Sequence, residues 1–338
     1  AAWSRGEKRK PTFPLGLLGA KAEVVYQPKG VVGVVAPWNF PVGMVFVPMA
    51  GMLAAGNRAM LKQSEYTPRF AELFARLVGE AFAPDEIAVV NGDAEIARAF
   101  ASLPFDHLLF TGSTEVGRHV MRAASEHLTP VTLELGGKSP AIVGRGAAFD
   151  KAVERILVGK TLNAGQTCIA PDYVLVPREQ QARFVETARR VFASLYPDLG
   201  RNTDYTSIVS PRHFARLASL VDEARAQGAA VERLGDAPAD AASRRLPPVL
   251  LTGVDDGMRV MQEEIFGPVL PLVPYDTLEE AIGYVNARPR PLALYLFEKQ
   301  RADIDRVLAQ TVAGGVTVND TLLHIAQDDL PFGGVGAS

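Results

Sequence analysis

Cysteine is nearly missing: Cys168 is the one cysteine among 338 residues. The chain can therefore close no internal disulfide, and no cluster of Cys and His has zinc-ligand spacing. Disulfide scaffolds and metal sites are excluded, and a reducing, cytoplasmic home is expected. Long apolar runs are missing too. No stretch approaches the roughly 20 residues that span a bilayer, and the first residues lack a signal-peptide pattern, so no membrane partner is expected. Neither sign of charge dominates: 35 Lys and Arg face 38 Asp and Glu, a net charge of −3. That leaves no broad attraction for nucleic acid, and an anionic ligand would have to be held locally. Repeats, low-complexity tracts and charge blocks are also absent. What remains is a chain 48% hydrophobic and 22% charged, a well-packed globular composition long enough for two domains. The closing residues Pro331-Phe332-Gly333-Gly334-Val335-Gly336-Ala337-Ser338 break off within a motif, so the chain reads as a fragment.

The stretch from Lys8 to Gln27, with Pro11, Pro14, Gly16 and Gly19 before an alternating run, reads as a hairpin or extended arm. From Val31 to Gly144, β-branched runs alternate with helical patterns, the signature of βαβ units on a parallel sheet. The strands are Val31–Val35, Ala59–Lys62, Ile87–Val90, His107–Phe110 and Val131–Glu134; the helices are Val42–Ala55, Pro68–Glu80, Ala94–Ala101 and Glu115–His127. Apolar residues at three- and four-residue spacing, as in Phe70, Phe74, Leu77 and Val78, support the longer helices. A second alternating block follows. Its strands are Tyr173–Val176, Val249–Thr252, Val269–Val273, Ala293–Phe297 and Val316–Asn319; its helices are Lys151–Asn163, Gln180–Leu195, His213–Gln227, Leu278–Asn286 and Ala302–Gln310. Residues 227–245 read as surface loop with at most one short strand. Two doubly wound α/β lobes in sequence point to a cofactor lobe and a catalytic lobe.

Several segments can carry chemistry. Phe110-Thr111-Gly112-Ser113-Thr114-Glu115-Val116-Gly117 joins a strand to a helix, where a bare backbone and a helix N-terminus can receive a phosphate. The same residues can equally serve turn geometry and capping. Lys62-Gln63-Ser64-Glu65 ends a strand, where Lys62 and Glu65 can hold ribose hydroxyls; a solvated turn is the plainer alternative. Cys168 follows Asn163-Ala164-Gly165-Gln166-Thr167 and is either a small buried hydrophobe or a nucleophile that needs an electropositive pocket or a base. Glu134, a carboxylate inside an apolar strand, must be paired, protonated or functional. Asn39, between Trp38 and Phe40, either shapes the turn before Pro41 or offers an amide to a ligand.

Taken together, these segments resemble the aldehyde dehydrogenase superfamily from about Pro28 to the last residue. The resemblance implies an α/β fold with a Rossmann-like cofactor domain (29–136), a catalytic domain (137–338) and part of a β-hairpin oligomerisation arm (1–28). It assigns Pro37-Trp38-Asn39-Phe40-Pro41 to the oxyanion site, Phe110 to Gly117 to the cofactor phosphates, and Leu133 to Pro140 to the general base. Gly165-Gln166-Thr167-Cys168 becomes the nucleophile segment, and Glu264-Ile265-Phe266-Gly267-Pro268 the nicotinamide-ribose motif. Cys168-Ile169-Ala170-Pro171-Asp172-Tyr173 and Asn319 to His324 are most similar to the class 3 and coniferyl aldehyde dehydrogenase branch. Gln63 departs from the Pro usual after the lysine.

By that resemblance Cys168 attacks an aldehyde, Asn39 steadies the oxyanion, and Glu134 activates the water that hydrolyses the thioester. Lys62, Glu65, Gly112, Ser113, Gly117, Glu264 and Phe266 would bind NAD, with NADP tolerated and Glu65 favouring NAD. Phe40, Met44, Tyr173, His324 and Ile325 would line an apolar tunnel suited to an aromatic or medium- to long-chain aldehyde. Relative to the family, an N-terminal helical segment and a C-terminal strand are missing, and the full-length protein would be a homodimer. Two other reactions suit the same nucleophile: transfer of the acyl group to CoA, against which Glu134 argues, and ester or thioester cleavage without redox chemistry. A catalytically silent binding protein on the same scaffold is the third alternative, against which the intact Asn39, Glu134, Cys168 and Glu264 argue.

Overall fold

The computed structural model describes residues 5–235 and 237–338. Residues 1–4 of the expected arm and residue 236 of the expected loop lie outside it. The chain divides into two compact units, Ala1–Leu133 and Glu134–Ser338.

The first unit begins with β1 (Glu7–Arg9) and β2 (Ala22–Val24), an antiparallel pair in which Lys8 faces Glu23. There follow β3 (Val31–Val35), α1 (Gly43–Ala54), β4 (Arg58–Lys62), α2 (Pro68–Ala81), β5 (Ile87–Val90), α3 (Ala94–Ala101), β6 (His107–Thr111), α4 (Thr114–Ser125) and β7 (Val131–Glu134). The strands order themselves β5-β4-β3-β6-β7, and β3 runs parallel to both β4 and β6. Counted from β3 as the first strand this is the order 3-2-1-4-5 of doubly wound nucleotide folds. Sequence explains the local choices. Pro68 needs no N–H partner at the start of α2, whose Ala71, Phe74 and Val78 form the buried stripe. Asp93 caps α3 by accepting from the N–H groups of Glu95 and Ile96.

The second unit comprises β8 (Pro140–Val143), α5 (Phe149–Thr161), β9 (Tyr173–Pro177), α6 (Gln181–Leu195), α7 (Pro211–Ala226), β10 (Ala230–Arg233) and β11 (Val249–Thr252). It continues through α8 (Arg259–Gln262), β12 (Val269–Tyr275), α9 (Leu278–Asn286), β13 (Ala293–Phe297), α10 (Arg301–Gln310) and β14 (Gly315–Val318). The order is β10-β11-β12-β9-β8-β13-β14, parallel except for the β10–β11 edge pair. Every residue of β8, β9 and β13 is buried, as expected of strands covered on both faces. The core of this unit includes Ile142, Val174, Leu272 and Leu294.

The periodicity reading finds every strand of the five-stranded sheet but misses β8, which lies between β9 and β13. Four residues opening on Pro140 carry too short a signal. One turn of helix, α8, is missed for the same reason. Among the described residues, no helix is long and apolar enough to cross a membrane.

Candidate functional site

Helix α5 ends at Thr161, and the chain then folds through a tight turn that delivers Cys168. Asn163, Ala164 and Gly165 all take positive φ (51°, 52° and 74°). Left-handed backbone costs a non-glycine residue roughly 1–2 kcal/mol, so the turn must be held from outside. Gln166 does this: its Nε2 donates to Asn163 O (2.9 Å) and Ser207 O (3.2 Å), while its Oε1 accepts from Val209 N (2.9 Å). Strain held by surrounding structure is typical of functional loops.

Cys168 is half-buried. Burial is the largest influence on its thiol and Glu264 the second, with Glu134 adding to them; the N–H groups of Cys168 and Ile169 oppose. The result is a pKa pushed up to about 12. The resting sulfur is therefore a thiol at neutral pH and needs a proton acceptor before it can attack.

Three sequence-distant segments meet at one buried ion pair. Lys138 binds Asp172 and also donates to Val260 O (2.8 Å) and Glu263 O (3.0 Å). Asp172 Oδ1 accepts from Ile265 N (2.9 Å), and Asp172 N donates to Ser139 O (2.7 Å). The expected base, nucleophile and ribose segments are thus tied together by Lys138, Asp172 and Ile265. Arg216 of α7 holds the last of these from the other side, donating to the carbonyls of Glu264 and Ile265. Phe266, also at positive φ (50°), follows directly. Burial, then Asp172, push the Glu264 carboxyl up to about 8, against the Gly137 N–H, Lys138 and Arg216.

Glu134 is the last residue of β7 and not an interior strand position. Its Oε2 is buried without a hydrogen-bond partner, and burial alone raises its pKa. An unpaired, desolvated carboxylate takes up a proton more readily than an exposed one and so is a better base.

Asn39, Lys62, Glu65, Gly112, Ser113 and Gly117 all belong to the first unit. Lys62 is buried, donating to Gln63 O (2.6 Å) and Gly92 O (2.8 Å). Burial lowers its pKa, with Glu65 and Asp93 opposing. Ser113 caps α4 by accepting from Val116 N (3.4 Å). A Cβ on Gly112 would come within 2.6 Å of the Phe110 ring, so packing already requires that glycine. Gly117 is buried within α4. Asn39 lies in the bend ahead of α1.

Of the expected tunnel residues, Tyr173 is corrected. It is 1% exposed in β9, edge-on to Tyr284 at 5.7 Å, and packs the core. His324 stacks on Phe332 (6.3 Å, 17°), and Ile325 is exposed.

Sequence reasoning missed Arg216, whose helix periodicity gives no hint of its partners, and Lys160. Lys160 is fully buried with no partner for its Nζ, and burial lowers its pKa to about 8 against the pull of Asp172 and Glu264. Only its charge on the apolar face of a helix pointed to it. Among the described residues no group of His, Cys, Asp or Glu is arranged to hold a metal ion.

Comparison with known proteins places these residues in context. The sequence profile described as "Aldehyde dehydrogenase family" matches residues 2–338. The probable coniferyl aldehyde dehydrogenase of Caulobacter vibrioides is 54% identical over 99% of the chain and 70% of its own length. A solved structure of Staphylococcus aureus AldH in a substrate-bound state superposes with a TM-score of 0.94 at 41% identity, covering 100% of this chain and 72% of that one. An aldehyde dehydrogenase of Mycobacterium tuberculosis complexed with NAD+ gives a TM-score of 0.87 at 30% identity, covering 98% and 67%.

Proposed function

This chain belongs to the aldehyde dehydrogenase family of oxidoreductases, in its coniferyl and class 3 branch, and from that premise we propose that it oxidises an aldehyde to the acid through covalent attachment to Cys168. The observation that carries the reading is the grouping of one half-buried thiol with two carboxylates of raised pKa, Glu134 and Glu264.

Cys168 needs a base, and Glu134 has the unpaired oxygen to accept its proton. The thiolate adds to the aldehyde carbon, forming a carbon–sulfur bond and an oxyanion. Donors to that oxyanion, the Cys168 N–H and the Asn39 amide, would each contribute ~10²–10³ in rate. Loss of hydride from the adduct leaves a thioester on Cys168. Once Glu134 has passed the thiol's proton to solvent, it takes a proton from water as the oxygen attacks the thioester carbon, and the sulfur leaves as thiolate while the acid departs.

The residues present fit a nicotinamide dinucleotide: the carboxyl of Glu264 can accept from ribose hydroxyls, Phe266 follows it, and Lys62 ends, with Glu65 just beyond it, a strand of the nucleotide-type sheet. When bound, that cofactor supplies the hydride acceptor. The negative charge of Glu65 favours NAD over the 2′-phosphate of NADP. Gly112, Ser113 and Gly117 would face the phosphates. On this reading residues 29–136 form the cofactor domain, 137–338 the catalytic domain and 1–28 part of the oligomerisation arm of a homodimer. Exposed Phe13, Leu17 and Leu18 on the arm support the last assignment. The apolar His324–Phe332 stack and the name of the Caulobacter relative favour an aromatic, coniferyl-type aldehyde, with medium- to long-chain aliphatic aldehydes second.

The test is formation of NADH and NADPH over a panel of aromatic and aliphatic aldehydes, with Cys168→Ala alongside. Reduced cofactor from the parent and none from Cys168→Ala is expected. Cleavage of esters with no cofactor reduction on any aldehyde would overturn the reading in favour of a cysteine hydrolase.

A further inference from the structure

Strand β13 is buried along its whole length, and Ala293, Leu294, Leu296 and Phe297 make it apolar apart from one residue. That residue, Tyr295, is 0% exposed and carries a hydroxyl into the core. A phenylalanine would fill nearly the same space with no polar atom to satisfy, so the partners of the hydroxyl decide what it is for. It donates to Ile169 O (2.5 Å), 126 residues away and one residue beyond Cys168. The Leu322 N–H faces the same oxygen, and the Cys168 sulfur lies within its electrostatic reach. The N–H of Ile169 in turn faces that sulfur.

Leu322 is a strained position. Its φ of 66° is left-handed, a conformation that a branched side chain keeps only where neighbours hold it. It opens the single turn Leu323–Ala326, which carries His324. Thr321 fastens the near side of this turn, its Oγ1 donating to Arg155 O (2.9 Å). Thr317 pairs with His324 Nδ1 (2.9 Å) and is the β14 partner of Tyr295, whose ring lies 6.2 Å from that of His324. The nucleophile segment and the His324–Phe332 stack thus meet at one phenol. Resting on the aldehyde reading above, we infer that Tyr295 is a positioning residue: its hydroxyl clamps the residue beyond Cys168 to the turn bearing His324, and so fixes the reactive sulfur against the apolar wall. Without the clamp the turn can relax toward ordinary backbone and take the wall with it, and a displacement of about 1 Å is enough to cost a reaction ~10² in rate.

Tyr295→Phe keeps the ring and deletes the clamp. Tyr275→Phe is the matched control, since Tyr275 is likewise buried and donates to a core carbonyl, Val143 O (2.7 Å), from the end of β12. Steady-state kinetics with NAD on benzaldehyde and on propanal give the ratio of the two kcat/KM values, which does not depend on how much of the enzyme is folded. In Tyr295→Phe that ratio should fall about tenfold, the scale on which pocket contacts separate substrates. Most of the change should lie in KM for benzaldehyde, because contact with its ring is made in ground and transition state alike. Tyr275→Phe should keep the parent's ratio. Should Tyr295→Phe not fold, the comparison is made in a Leu322→Gly background, where glycine takes the left-handed backbone without strain. A ratio within about twofold of the parent's in Tyr295→Phe, a change small against the tenfold expected, or an equal fall in Tyr275→Phe, would overturn the inference while leaving aldehyde oxidation in place. No cofactor reduction by the parent on any aldehyde would instead remove the aldehyde reading, and the inference with it.

Discussion

Glu264 and Gly136 are built against each other: a Cβ on Gly136 would lie 2.2 Å from Glu264 Oε2 and 2.3 Å from Oε1. The carboxyl therefore occupies the space that any other residue at 136 would claim. Gly136→Ala should displace Glu264 while leaving the Lys138–Asp172 pair in place. The expected result is at least tenfold weaker NAD binding by fluorescence titration with a modest loss of stability; unchanged affinity would separate Glu264 from the cofactor.

Gly165 combines two demands. Its φ is +74°, and a Cβ there would sit 2.4 Å from Gly267 O. Gly165→Ala adds backbone strain to overpacking against a carbonyl, together about 3 kcal/mol. Urea unfolding should show that loss in the midpoint, and because the turn delivers Cys168, activity should fall with it. A stability within 0.5 kcal/mol or so of the parent, the range of ordinary surface substitutions, would mean the turn relaxes freely.

Glu134→Gln retains the shape of the side chain and removes its basicity. A slowed burst of reduced cofactor followed by a collapsed steady state is expected in stopped-flow measurements, because the Cys168 thiol also gives its proton to Glu134. Burial raises the Glu134 pKa, so the base is active only above a pH higher than that of an ordinary carboxylate. The parent's kcat should accordingly rise with pH, and Glu134→Gln should lose that limb. Full steady-state turnover in the variant would refute the role.

Lys160 is a buried amine with no partner, lowered from 10.5 to about 8. A cation whose folded pKa is depressed contributes stability that is present above the unfolded pKa and lost as pH falls through the folded one. Chemical unfolding of the parent should therefore show stability rising between about pH 8 and 10.5, a rise that Lys160→Met abolishes. Replacing a buried charge with an apolar side chain of similar length should also leave the variant at least as stable at pH 7. A marked loss there would show that Lys160 offsets the charge of Asp172 or Glu264.

Much of the fold was legible because helix and strand periodicities are local. Phe70 and Phe74 share a helix face, and Ala59 to Lys62 form a strand, whatever the rest of the chain does. The motif segments around Cys168, Glu134 and Glu264 were legible through the family resemblance, since each is a short contiguous run of residues. Tyr173 shows the limit: its residue type suits a tunnel wall, yet its place on β9 puts it in the core.

The sequence by itself determined the two α/β units, the sole thiol and the carboxylates that could serve it. Only the tertiary structure decided which charges are buried together and which go unpaired. Asp172 meets Lys138 across 34 residues and Ile265 across 93, while the Lys160 amine and the Gln63 carboxamide have no hydrogen-bond partner. Desolvation and Coulomb interaction depend on distance in space, and no spacing along the chain encodes that distance.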